Sequence, residues 1–258
     1  MHRPRWYTAV VETLLAFPDL LRLIDERSAA FRAAIAAAPD LGVTVPTCPE
    51  WTLLDLVHHM GQGRRFWAGN VAAGPSDVRP ARPEVEVPHE REAMLAWLAD
   101  AAEQLLAALR EAGPDAGCWS WWGTSQSPLT AGAVARHQVQ EISVHTYDAQ
   151  LTIGAAQPLP DEVALDGVDE FLVTCVSTAD AWPHDAADID YHVTDGPSWR
   201  VKLSSAGARV TTADKPADAA ATATASDLVL AFYGRLSMDA LKLDGDPTIF
   251  DQLIAWEP

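Results

Sequence analysis

The feature that most constrains this chain is a change of hydrophobic period near Gly154. Before it, apolar residues recur at helical spacing. Leu20, Leu21, Ile24, Ala30, Phe31, Ala34 and Ile35 define a first helix over residues 20–38, which Pro39-Asp40-Leu41-Gly42 ends. After a loop holding Pro46 and Pro49, Thr52 with Asp55 three residues later forms a capping-box pattern for a second helix over 53–72. Residues 74–89 carry Pro75, Pro80, Pro83 and Pro88 and read as a long crossover. A third helix over 90–111 stops at Gly113-Pro114, and Thr130 can cap a fourth reaching about residue 150. Four amphipathic helices with one long connection describe a four-helix bundle.

Past Gly154 the pattern shifts to alternation. A helix over 161–177 reads as a linker. Ile189, Tyr191 and Val193, then Trp199, Val201 and Leu203, then Val210 and Thr212, have the period of half-buried strands, and residues 219–225 add another. Two short helical patterns, 226–233 and 247–256, complete a small α+β module. The expected organisation is an α+β chain of two domains: an N-terminal extension over 1–19, a helical bundle over 20–155 and an α+β domain over 156–258.

Charge narrows the partners. Lys and Arg number 18 against 36 Asp and Glu, a formal net charge of −18. Such a surface repels nucleic-acid phosphates and anionic lipid heads, so an anionic substrate needs a local cation, either a metal or an arginine. The three cysteines, Cys48, Cys118 and Cys175, form neither a CxxC pair nor a zinc-ribbon spacing and fit a reducing cytosol. With no export signal and no uninterrupted apolar span, the expectation is a cytoplasmic protein that does not enter membranes. The oligomeric state is left open.

One constellation carries chemistry. Glu141 and His145, four apart on the fourth helix, present their side chains on one face at metal-ligand spacing. Val134, Gln138, Glu141, His145 and Asp148 share a stripe that could be the buried one; the alternative puts Ala135, Val139 and Ile142 inward and leaves the polar stripe in water. On the second helix, Leu53, Leu56, Val57, Met60, Gly63 and Trp67 form the apolar arc. His59 borders it, while His58 points away. Cys48, near that helix's start, has no neighbouring relay and reads as structural. Arg64, Arg65 and Arg136 read as solvated helix-face charges. Trp119, Trp121 and Trp122 could wall a pocket, although loop aromatics usually cover a core.

The segment Val45-Pro46-Thr47-Cys48-Pro49-Glu50-Trp51-Thr52-Leu53-Leu54-Asp55-Leu56-Val57-His58-His59-Met60-Gly61 resembles the opening signature of the mycothiol-dependent maleylpyruvate isomerase family, VPxCPxWTxxDLxxHxG. Glu141-Ile142-Ser143-Val144-His145-Thr146-Tyr147-Asp148-Ala149 is similar to that family's ExxxHxxDA segment. Farther on, residues 226–235 and Leu243-Asp244-Gly245-Asp246 resemble its C-terminal module. The chain departs from the pattern before Leu20 and at Gln140, where relatives often carry His. The resemblance implies a DinB-like bundle followed by a sterol-carrier-like domain, and a divalent metal, zinc, on His59, Glu141 and His145 with open positions. It further implies mycothiol as thiol cosubstrate, held as thiolate by the metal, and Arg235 as the catalytic cation for a substrate carboxylate. The implied activity is thiol-mediated cis–trans isomerisation of a small unsaturated acid. Thiol transfer to an electrophile and a non-catalytic metal- or ligand-binding role are the alternatives.

Overall fold

A computed structural model describes residues 15–82, 85–212 and 215–256. The chain divides into two compact units, one of residues 15–121 and 129–159, the other of 122–128 and 160–258 together with the segment before Leu15, which falls outside the described residues. The stretch before Leu20, expected as an extension, is described only from Leu15, and helix α1 already begins within it.

Four long helices build the first unit: α1 (Phe17–Ala37), α2 (Leu53–Ala73), α3 (Arg91–Ala112) and α4 (Ala131–Thr152). α1 starts three residues earlier than its apolar period predicts. Pro18 sits in its first turn, where the missing N–H has no intrahelical partner to lose. α2 opens with the expected capping box. The Thr52 hydroxyl accepts from Asp55 N–H, and the Asp55 carboxylate accepts from Thr52 N–H at 2.8 Å. Between α1 and α2, where only a loop was expected, a short hairpin of β1 (Thr44–Val45) and β2 (Cys48–Thr52) forms, pairing Val45 with Cys48. Phe31, Ile35, Val45, Leu56, Val57, Met60, Leu98 and Ile142 form the core, with Trp51 and Trp97 packed against it.

Gly61 has a steric role. A Cβ there would overlap the Trp97 indole, so the glycine lets α3 lay that ring against the α2 backbone. Arg65 closes the seam from the other side, its guanidinium 4.4 Å from the Trp97 ring centroid and bonded to Trp97 O at 2.9 Å and Asp100 at 2.8 Å.

In the second unit a five-stranded mixed sheet has the order β5-β4-β3-β6-β7, built from β3 (Ala187–Val193), β4 (Ser198–Ser204), β5 (Gly207–Thr211), β6 (Ala219–Ala223) and β7 (Lys242–Gly245). β3 and β6 pair in parallel and the other neighbours antiparallel. β7 was expected only as a motif segment. Its burial is slight, so no alternation marks it in the sequence. The predicted linker helix is α5 (Asp161–Phe171), which runs into a π-helical turn, Leu172–Val176, and belongs to this unit: Phe171 stacks on Phe232 of α6 (Ala225–Phe232) at 5.0 Å. α7 (Thr248–Ala255) ends the described chain. Residues 122–128 group here although they lie within the span expected for the bundle; the Gln126 side chain accepts from Val210 N–H at 2.6 Å and donates to Val210 O at 3.1 Å.

On β3, Ile189 and Tyr191 are buried on one side, Asp188 and Asp190 on the other. Arg200, opposite Asp190 on β4, is 1% exposed and meets that carboxylate twice, Nε to Oδ1 at 2.6 Å and Nη2 to Oδ2 at 2.7 Å. No helix among the described residues is long and apolar enough to cross a membrane.

Candidate metal centre

The second and fourth helices bring His59, Glu141 and His145 together. His59 Nε2 lies 2.9 Å from Glu141 Oε1, and His145 Nε2 lies 3.8 Å from the same oxygen. One ligand atom from each of the three falls within 4.8 Å of the others. Around a tetrahedral ion with ligand bonds of about 2.0–2.1 Å, neighbouring ligand atoms stand roughly 3.4 Å apart, which the two measured separations bracket. Two imidazoles and one carboxylate suit a borderline divalent ion such as zinc, and three protein ligands leave room for another.

α4 answers the question its sequence left open. Gln138, His145 and Asp148 are buried, and so are Ala135, Val139 and Ile142, so the polar stripe is not a solvated face. Burial of polar groups on that scale demands partners. Asp148, fully buried, supplies one. Its Oδ2 lies 2.9 Å from His145 Nδ1, and its Oδ1 accepts from the Thr47 hydroxyl at 2.6 Å. With the Nδ1 proton committed to Asp148, the His145 Nε2 lone pair is directed at the Glu141 side, the arrangement in which a carboxylate orients a ligating histidine. Asp148 lay on the predicted stripe without an assigned role. Its contact with Thr47 spans 101 residues and has no local signature.

Glu141 sits between opposing influences. Burial disfavours its charge, but the hydrogen bond with His59 and the fields of His145, His137 and His59 prevail and hold its carboxyl well below the usual carboxylate range. The site therefore offers an anionic oxygen at neutral pH. His58, by contrast, is exposed and bonded to Gln62 at 2.7 Å.

Trp51, just before the α2 cap, covers the histidines. Its ring centroid is 4.8 Å from that of His59 and 6.1 Å from that of His145. The loop tryptophans considered for this task are occupied elsewhere: Trp119 packs on Phe66 and Trp67, Trp121 on His137, and the buried Trp122 donates to Pro128 O at 3.1 Å. Cys48 lies beside the site with Sγ 4.0 Å from Asp148 Oδ2, a packing position.

The reading of three arginines as solvated is corrected. Arg64 and Arg136 are 3% and 7% exposed, and the Arg65 side chain is 8% exposed. Arg64 stands four residues after Met60 and three before Trp67, inside the apolar stripe of α2; that placement was the available signal. Arg235 lies in the second unit, just after α6, where its guanidinium donates to Tyr233 O at 2.7 Å.

Two family models match the chain: the mycothiol maleylpyruvate isomerase N-terminal domain over residues 21–150 and the MDMPI C-terminal domain over residues 162–252. Among solved structures, a crystal structure of the mycothiol-dependent maleylpyruvate isomerase aligns with a TM-score of 0.56 at 13% identity, covering 91% of this chain and 96% of that one. A histidine-to-alanine mutant of the mycothiol-dependent maleylpyruvate isomerase gives 0.55 at 13% identity over the same shares. At that identity the likeness establishes a common two-domain α+β fold. No curated protein matches this chain significantly.

Proposed function

Because this chain belongs to the mycothiol maleylpyruvate isomerase family, we propose that it is a metal-dependent enzyme that uses mycothiol to interconvert the cis and trans forms of a small unsaturated acid. The observation that carries this reading is the convergence of His59, Glu141 and His145, with Asp148 fixing the last. His59 and His145 would hold a divalent ion, zinc by preference for this donor set, through Nε2, and Glu141 through Oε1. When bound, that ion supplies the positive centre that keeps a thiol deprotonated at neutral pH.

The protein's own groups do the rest. Asp148 holds the His145 tautomer, so its Nε2 need not shed a proton. Trp51 keeps water from one side of the imidazoles. Attack of a thiolate on the activated double bond forms a carbon–sulfur bond and moves the π pair toward the conjugated carbonyl. Rotation about the resulting single bond and expulsion of the sulfur restore the double bond in the other geometry, leaving the thiol unconsumed. Arg235, by its place in the family's C-terminal segment, is assigned to a substrate carboxylate and the charge that develops on the carbonyl.

Two measurements test this. Purified protein should carry near-stoichiometric zinc by elemental analysis, lost in both His59→Ala and His145→Ala; retention in both variants overturns the ligand assignment. Incubation with maleylpyruvate and mycothiol should give the trans isomer at constant thiol titre. Consumption of thiol would instead identify a transferase.

A further inference from the structure

We propose that Thr47 is a positioning residue for His145: through Asp148, its hydroxyl fixes which imidazole nitrogen faces Glu141. The inference rests on the metal-centre reading above, in which that nitrogen meets the ion, and assigns a role at a position that the family signature leaves open. Pro46 and Thr47 form the turn that joins β1 to β2, since Val45 pairs with Cys48. From that turn the Thr47 hydroxyl reaches α4 and donates to Asp148 Oδ1 at 2.6 Å, a length typical of a charge-assisted O–H···O⁻ bond. The other oxygen, Oδ2, lies 2.9 Å from His145 Nδ1.

The two bonds support one another. The last torsion of an aspartate is soft, so the plane of its carboxylate is set by what holds the two oxygens, and a donor on Oδ1 fixes the angle at which Oδ2 meets the imidazole. Asp148 is fully buried, so bulk water does not reach it to take the hydroxyl's place. Cys48, the next residue, is the weaker anchor: its Sγ stands 4.0 Å from Oδ2, and a thiol donates poorly. Chain continuity adds a second reason. Residues 47–59 run without a break from the turn through β2 and the Thr52 cap into α2, and on the way set the Trp51 ring 4.8 Å from that of His59 and 6.1 Å from that of His145. The Thr47–Asp148 bond therefore ties the segment that leads to His59 onto the helix that carries Glu141 and His145. With the Nδ1 proton directed at Asp148, the Nε2 lone pair is open to an ion; the opposite tautomer would aim a proton there. Loss of the hydroxyl frees the carboxylate to turn and admits that opposite tautomer.

Nitrogen NMR of the His145 ring in metal-free protein, and zinc affinity by chelator competition, test the proposal in Thr47→Val, which keeps the shape and loses the hydroxyl, and in Thr47→Ser, which keeps the hydroxyl. In wild type the Nδ1–H tautomer should dominate, and Thr47→Val should raise the share of Nε2–H severalfold. The zinc Kd should rise about three- to tenfold in Thr47→Val, less than for loss of Asp148 itself, and stay within about twofold of wild type in Thr47→Ser. In an Asp148→Ala background Thr47→Val should move neither readout further, because the link it acts through is gone. An unaltered tautomer balance in Thr47→Val overturns the proposal, as does unaltered affinity where wild type binds zinc. An equal loss in Thr47→Ser, or a full loss in the Asp148→Ala background, overturns it too. Should Thr47→Val fail to fold, the same criteria apply to Thr47→Ala. Wild-type protein that binds no zinc sinks the metal reading alone, since the tautomer measurement decides on Thr47 without the ion.

Discussion

Arg200 in the sheet unit and Arg64 in the helical unit are buried almost equally, at 1% and 3% exposure, yet their surroundings treat them oppositely. Arg200 is gripped by both oxygens of Asp190, with Asp188 3.6 Å from its remaining nitrogen. Arg64 has no such grip: neither Nη1 nor Nη2 has a hydrogen-bond partner among the described residues. A guanidinium that serves the fold is saturated by the fold, because the chain cannot afford an unanswered charge in its core. Arg64 has instead the longer-range attraction of Glu141, set against its burial and the repulsion of Arg32.

The contrast breaks most visibly at Arg200. Arg200→Met strands two buried aspartates and should cost about 3–5 kcal/mol, measured as a lower denaturant midpoint; a loss below 1 kcal/mol would remove the distinction from that side. Next, Asp148→Asn should weaken zinc affinity by about 10–100-fold in a chelator competition, since the asparagine no longer offers His145 an anionic acceptor. Arg64→Met in ligand-free protein should raise stability by about 1 kcal/mol, the opposite sign to Arg200→Met, because it removes an unsatisfied charge and keeps the stem. A fall of similar size would mean that Glu141 alone completes Arg64. The smallest effect belongs to an exposed device. Thr52→Ala should cost about 1 kcal/mol at pH 7 through the lost α2 cap. The Thr52 hydroxyl and N–H hold the Asp55 carboxyl below its ordinary value, so that stabilisation is full above the unfolded carboxylate pKa near ~4 and fades as pH falls through the lower folded value. The gap between wild type and Thr52→Ala should therefore narrow between pH 6 and pH 3 in thermal melts.

Much of this was legible in the residues themselves. Helix periods located α1 to α4 within three residues, and the Thr52–Asp55 pair marked the true start of α2. The angular offset of His59 from Leu56, Val57 and Met60 separated it from His58, which does face outward. The wheel of α4 was undecided because both of its faces are buried, a situation a binary inside-outside pattern does not represent. The Trp51 cover and the Thr47–Asp148 bond depend on where the β1–β2 hairpin folds back, and two short, proline-flanked strands announce no period. Arg64 was misjudged because charge was given more weight than position: its place between Met60 and Trp67 already put it on the inner arc. The sequence placed α5 at the entry to the second domain without naming what it packs on, since an amphipathic helix declares that it has a partner but not which one; its partner is α6.

The bare Cα at Gly61 has a consequence for a residue it never touches. With Trp97 pressed into that notch and Arg65 clasping the ring from the next turn, α2 is keyed against α3. His59 projects from the same rigid rod two positions earlier, so its aim is fixed by a lock on the opposite flank. Filling the notch would turn the imidazole like a hand on a dial, detuning the centre with all three of its donors still in place.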